Sequence, residues 1–355
     1  SGGDLYLDNV HILDNKFIDQ NGEEKGAGVF ISASGYLGEV SITDCVISGN
    51  GGSEGSAGAI YIGGPDTIAI DGCLINNNEG YYVSGIYIEY AGAEHISIKN
   101  TEFNNNIDNI ENPGTVGATV LFVNQSGHLE MENVVFEDNI MGVGYYAVHS
   151  HTGNFKNVAI VNNDAHMGMS VVTSSWNPDI ITEIDGCTFI NTGTGLNFVG
   201  PNAAQGQPAT VKNSIFDEGG INISWGNNGN TQVDISYSLI DIENITQQDD
   251  ASILTLGDGN FSADPQFIYP YGGNFNLEIT SPCIDTGDPD SDLDPDETRA
   301  DLGAYYFDQN DNPIAWGCMD PVAPNYDSGA INDNGTFCEY EGGNYALEFD
   351  GEDDY

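Results

Sequence analysis

The chain has 355 residues, of which 55 are acidic and 6 basic, for a net charge of −49. Nucleic acid is excluded as a partner, because phosphate contacts need clustered Lys and Arg, and an anionic bilayer surface is disfavoured for the same reason. Hydrophobic residues make up 39 % and Gly contributes 46 positions, a mix too apolar for a disordered chain and suited to a turn-rich all-β protein.

No apolar run approaches ~18 residues, so no spanning helix and no membrane insertion is expected. So acidic a surface repels itself unless cations screen it, which points to a salty or calcium-rich medium. The first residues, Gly2-Gly3-Asp4-Leu5-Tyr6-Leu7, read as an interior strand, so the sequence is expected to be a piece of a longer protein.

A six-residue frame then recurs: a small or polar residue, an aromatic or β-branched residue three places on, and Asn six places on. Its copies are Asn9, Ile12, Asn15; Asp44, Ile47, Asn50; Gly72, Ile75, Asn78; Asn100, Phe103, Asn106; Asn133, Phe136, Asn139; and Asn157, Ile160, Asn163. Weaker copies follow at Gly186, Phe189, Thr192 and at Asn213, Phe216, Gly219, with a partial one from Tyr237 to Ile240. The period is near 28.

Each frame is preceded by a short alternating strand, such as Ile68-Ala69-Ile70, and followed by a second one, usually after glycine, such as Ala59-Ile60-Tyr61-Ile62. Such a unit cannot bury its apolar face alone, and stacking copies buries a continuous core. The expectation is an all-β, right-handed parallel β-helix solenoid of about nine rungs over residues 1–260, roughly 40 Å long at ~4.8 Å per rung. The Asn residues at 15, 50, 78, 106, 139 and 163 are expected to tolerate a left-handed turn and to hydrogen-bond to one another along the rod.

The Asn-terminated frame and the Gly-Ala-Ile-Tyr strand at Gly58 to Tyr61 resemble the right-handed parallel β-helix proteins of the pectate-lyase-like superfamily. That resemblance implies the fold over about Ser1 to Asn260. It implies no one activity, because this fold carries lyases, hydrolases, adhesins and tailspikes alike.

Residues 261–312 form a different segment. Ala263-Asp264-Pro265-Gln266-Phe267, Ser281 to Gly287 and Arg299 to Tyr305 are similar to the closing segment of secreted β-helix proteins of Bacteroidetes and marine bacteria. Its expected place is over the last rung, since a solenoid end is an open sheet edge. Within it, Asp288, Asp290, Asp292, Asp294 and Asp296 alternate and form the candidate calcium loop, although their prolines do not match the EF-hand spacing. The bland reading is an acidic surface turn. Arg299, the only arginine, reads as a paired structural residue.

Residues 313–341 resemble a short Cys-bounded motif of secreted marine bacterial proteins. Cys318 and Cys338 bound it, flank a small polar loop and are the expected disulfide pair, given export to an oxidising compartment. Residues 342–355 look like the first strand of a laminin-G or concanavalin-like domain. Tyr345, Leu347 and Phe349 alternate there and, with the first rung, leave open ends for self-association.

Of the other cysteines, Cys45, Cys73 and Cys187 sit one place after a frame start and read as core thiols. Cys45 and Cys73 are placed to pair with each other, and Cys283 reads as buried. No CxxC or paired His suggests zinc.

The enzymatic candidates are few. Lys99, Lys156 and Lys212 each precede a frame start and share one face, the strongest argument for a lyase; the competing reading is a solvated outer face. Asp249-Asp250 lacks the His-Gly and Arg-x-Lys partners of the hydrolases of this fold, and His149 and His151 read as a loop or strand-edge pair. The expected function is a non-catalytic structural or adhesive β-helix, secreted or on the cell surface. It would contact a polysaccharide or other cell-surface glycan through residues such as Tyr61, Tyr87 and Asn124. The alternative is a carbohydrate-active enzyme, a lyase or hydrolase acting on an acidic polysaccharide.

Overall fold

A computed structural model describes residues 3–16, 27–51, 57–89, 95–108, 119–124, 128–141, 146–150, 152–172, 181–199, 208–224, 231–247, 252–310, 318, 320–326 and 338. The chain is a parallel β-solenoid in which each coil contributes a strand to three columns, and every strand pairs in parallel with the equivalent strand of the next coil.

Alternation in sequence becomes unbroken files of side chains in space. In the first column, Leu7, Ile42, Ile70, Ile98, Met131, Phe155, Ile184, Val211, Ile235 and Leu256 follow one another in register. The eight from Ile42 to Ile235 are at most 1 % exposed. The aromatic and β-branched residues of the repeat frame make the inner file of the second column: Ile12, Ile47, Ile75, Phe103, Phe136, Ile160, Phe189 and Phe216. Phe103 stacks on Phe136 at 4.5 Å and Phe189 on Phe216 at 4.8 Å. In the third column Ile60, Ile86 and Leu121 point inward, as do Leu196, Ile221 and Ile223 further along.

The glycine that precedes the third-column strand is required by the corner it turns. A Cβ on Gly28, Gly58 or Gly85 would lie 2.7, 2.6 or 2.5 Å from the carbonyl oxygen of Ala59, Ser84 or Val120. Only glycine lets the backbones approach so closely.

The ladder asparagines hydrogen-bond to one another along the rod, but their own backbone is not left-handed. The residues with left-handed backbone are the frame starts, such as Asn9, Asp44, Asn100 and Asn157, and the residues just before each ladder Asn: Asp14, Gly49, Asn77, Asn105, Asp138 and Asn162. The ladder residues themselves do not adopt positive φ. They occupy their positions for the side-chain amide alone.

Among the described residues, the closing segment pairs with the end of the second column only at Phe261, which bridges Leu239. It lies along the flank of the rod, on the outer face of the second column. Val161, Ile190, Ile215 and Leu239 meet Phe275, Leu277, Cys283 and Leu302 in a second apolar core. Gly303 N–H donates to the Asn213 carbonyl at 2.7 Å and Ala304 N–H to Thr188 Oγ1 at 2.9 Å. Gly273 reaches back to the Glu137 carboxylate.

The physical reason is the sequence of the outer face. In early coils it carries polar or half-exposed residues such as Ser48, Asn76, Glu102 and Asn104, but in later coils it is apolar. Covering it removes more apolar surface from water than covering the terminal strand does. That strand, Ile253–Leu256, leaves Ile253 50 % and Leu256 45 % exposed.

The expected strand through Tyr345, Leu347 and Phe349, and the domain start at 342–355, lie outside the described residues.

Candidate functional site

The ladder runs from Asn15 to Asn163 as side-chain amide to side-chain amide. Its Nδ2–Oδ1 distances are 2.8 Å (Asn15–Asn50), 3.1 Å (Asn50–Asn78), 3.0 Å (Asn78–Asn106), 3.0 Å (Asn106–Asn139) and 2.8 Å (Asn139–Asn163). Each Nδ2 from Asn50 onward also donates to a backbone carbonyl, as Asn106 does to Ile75 at 2.9 Å. Each Oδ1 from Asn50 onward also accepts the backbone N–H of the previous ladder residue, as Asn106 does from Asn78 at 3.1 Å. Both functions of the amide are used, which explains why Asn rather than Ser or Asp recurs.

At the next two coils the ladder fails. Thr192 takes the Asn position, and its buried Oγ1 has no hydrogen-bond partner. Gly219 takes it after that and offers no side chain at all.

Beside this break the surface opens into a groove of about 470 Å³, on the corner between the second and third columns. His166, Thr194, Glu218, Asn222, Glu243 and Thr246 line it, and Gly193, Gly219 and Gly220 contribute bare backbone. The main chain there is held by Thr194 N–H to the His166 carbonyl at 3.0 Å and Leu196 N–H to the Gly220 carbonyl at 3.1 Å. Glu218 has φ of 53°, at the turn position that Asp, Gly or Asn fills in every other copy of the frame from Asp14 to Asn191. A glutamate there lacks the short side chain that eases this conformation. Of these lining residues only Gly219 was named from the sequence, as the end of a weak frame copy and not as a site residue. The available signal was the weakening of the frame at Thr192 and Gly219.

The five aspartates of the candidate calcium loop do not converge. Asp288 accepts the Asp290 N–H at 3.0 Å. Asp294 accepts the Asp301 N–H at 2.8 Å. Asp296 accepts from Thr298 N–H, Thr298 Oγ1 and Gln309 N–H at 3.1, 2.7 and 2.9 Å. Asp290 and Asp292 are exposed. Among the described residues no three His, Cys, Asp or Glu are placed to hold a metal ion.

The loop instead folds by capping its own backbone, as Asp does in tight turns. Asp301, outside the expected set, is the most buried acid of this region. It accepts N–H groups from Asp285 and Phe307 at 2.7 and 2.6 Å. Burial nevertheless pushes its carboxyl up to about 7, and that of Asp294 up to about 6.

The three lysines do share a face, and carboxylates alternate with them. One file of the first column reads Asp71, Lys99, Glu132, Lys156, Asp185, Lys212 in successive coils. Lys99 Nζ lies 2.7 Å from Glu132, and Lys212 Nζ lies 3.4 Å from Asp185 and 4.0 Å from Asp288. The Lys99 partner holds the Glu132 carboxyl below its usual range.

Arg299 is structural: its Nε donates to the Gly287 carbonyl at 2.6 Å, and its guanidinium lies 5.9 Å from the Tyr237 ring centre. Tyr61 is not an exposed glycan contact. It is 3 % exposed, stacks on Phe30 at 5.1 Å and meets Tyr87 edge-to-face at 5.5 Å. Tyr87 is half-buried. Asp249, Asp250, His151 and the side chains of His149 and Asn124 lie outside the described residues.

Cys318 and Cys338 are bonded, whereas Cys45, Cys73, Cys187 and Cys283 are free and buried.

Set against known protein families, curated proteins and solved structures, the chain matches none.

Proposed function

We propose that this protein is a rigid, non-catalytic solenoid of the pectate-lyase-like kind, right-handed, secreted or displayed at a cell surface, where it serves as a stalk or adhesive surface for glycans. The observation that carries the reading is the alternating file Asp71, Lys99, Glu132, Lys156, Asp185, Lys212. A lyase needs a basic side chain free to take a proton beside its substrate. Lys99 and Lys156 stand instead between carboxylates of adjacent coils, and Lys212 between Asp185 of the preceding coil and Asp288 of the flank segment, an arrangement that stabilises a stack. The Cys318–Cys338 bond supports an oxidising compartment. Calcium is proposed as the counter-ion that relieves self-repulsion.

The test is incubation of the protein with pectate, alginate and neutral polysaccharides. Unsaturated-uronate absorbance and new reducing ends are followed, in parallel with retention of the protein on the same glycans immobilised. Retention without product is the expected result. A second reading, a glycoside hydrolase, draws on the two carboxylates Glu218 and Glu243 in one groove. Reducing ends released by the intact chain and lost in Glu218→Gln would establish it and overturn the first.

A further inference from the structure

We propose that the groove beside the ladder break is a binding subsite for a neutral, hydroxyl-rich glycan chain, and that acidic sugars are excluded from it. This inference rests on the adhesive reading and names the class of ligand.

The lining decides the class. Two carboxylates, Glu218 and Glu243, face a ligand together with the hydroxyl-bearing Thr194 and Thr246, and neither lysine nor arginine lines the groove. A uronate or sulfate entering it would lose hydration and meet like charge with no counter-ion, inside the field of a chain of net charge −49. Sugar hydroxyls are donors, and donation to a carboxylate is stronger than donation to a neutral acceptor.

At the floor only Gly219 leaves room, since the side-chain faces of Gly193 and Gly220 are filled by the His166 and Asn244 carbonyls, and Met167 offers an apolar contact for the C–H face of a pyranose ring. A volume of about 470 Å³ falls in the usual range of small-ligand sites, enough for a short stretch of an oligosaccharide.

The groove is also built rather than incidental. Gly219, at the ladder position, lines it without a side chain, whereas Thr192 is buried and is not part of its wall. Its wall carries Glu218 in a left-handed turn, where the other coils keep residues that suit it. The side chain is therefore placed for what it presents, against the preference of its own backbone. Stacked, hydrogen-bonded coils fix these groups in advance, so little conformational freedom is lost on binding.

The experiment is calorimetric titration of the intact chain with neutral hexasaccharides (cello-, manno-, laminari- and xylo-hexaose). Hexagalacturonate and a chitosan hexamer are titrated alongside. Two variants are compared, Glu218→Gln and Glu243→Trp, the latter filling the groove mouth from an exposed position; thermal melting verifies that both fold.

At least one neutral hexasaccharide is expected to bind, with affinity reduced roughly tenfold or more in each variant, while hexagalacturonate gives no heat. Neutral binding unchanged in both variants would move the site elsewhere and overturn the proposal, leaving the adhesive reading standing. Hexagalacturonate or the cationic chitosan hexamer as the sole ligand would overturn the class. Binding of no sugar would sink the proposal, and retention on none of the immobilised glycans would sink the adhesive reading as well.

Discussion

Each ladder asparagine from Asn50 to Asn163 holds four polar atoms in a buried position. Replacing Asn106 by Ala removes the side-chain donor to the Ile75 carbonyl, the acceptor of the Asn78 backbone N–H, and one of the two partners of Asn78 Nδ2 and of Asn139 Oδ1, in a site that is 0 % exposed at Asn106 itself. The expected loss is about 2–4 kcal/mol, read from the urea midpoint, since an orphaned buried group costs about 1–3 kcal/mol. Thr192→Val is the opposite case. It removes a hydroxyl that has no partner, and the variant should be as stable as the parent or more so. A destabilised Thr192→Val would mean that this hydroxyl is satisfied in solution.

The recurrence of Asn was legible in the sequence because one side chain repeated at one offset. The left-handed residue before it was not, because Asp14, Gly49 and Asn77 share a backbone preference without sharing an identity. The groove was illegible for a related reason: Gly219 lines it without a side chain.

The flank segment behaves as one element, and its acids set its response to pH. Asp301 and Asp294 have folded carboxyl values raised to about 7 and about 6, from 3.8. The folded state therefore holds protons that the unfolded state has released. The stability they contribute is fully present below the unfolded value near 3.8 and is lost as pH rises through about 6 and then about 7. In chelator-containing buffer of fixed ionic strength, the melting of this segment should fall between pH 5 and pH 8. Asp301→Asn should flatten that slope, and a slope unchanged in the variant would refute the assignment.

The alternating charge file makes a second prediction at this scale. Lys156 lies in register with Glu132 and Asp185, so Lys156→Glu places like charges on three successive coils. The cost should be roughly 0.2–1 kcal/mol in dilute buffer and vanish in molar salt, with Lys156→Met closer to the parent. The lysine face was legible from the frame, and so were its carboxylate partners: Asp71, Glu132 and Asp185 sit at the same offset, one place before a frame start, although only the lysines were singled out from the sequence. The segment's seat on the flank was hidden, because the alternation that makes Val161 and Ile190 point outward does not say what covers them.

The whole molecule combines a core that is dry from Ile42 to Ile235 with a surface of net charge −49. Self-repulsion on that surface opposes compaction, so added salt should raise the melting temperature. Millimolar calcium should raise it more than sodium at equal ionic strength, because a divalent ion can bridge carboxylates of adjacent coils. Equal shifts in a thermal scan would reduce the effect to screening.

The flank segment has a consequence for how this rod can change its length. Solenoids lengthen or shorten by whole coils, since each coil touches only its neighbours. Here that freedom is unequal. Val161 and Ile190 in the flank core, Ala304 at Thr188 and Gly303 at Asn213 tie one strap to several coils at set intervals, like a gauge laid along a stack of coins. A coil duplicated between Asn50 and Asn78 would pass unnoticed by the strap. One duplicated between Asn157 and Asn213 would carry its anchor points about 4.8 Å apart and tear it from the rod. Variation in length among descendants of this sequence is therefore confined to the coils before Asn133, and the half that holds the groove is locked to one size.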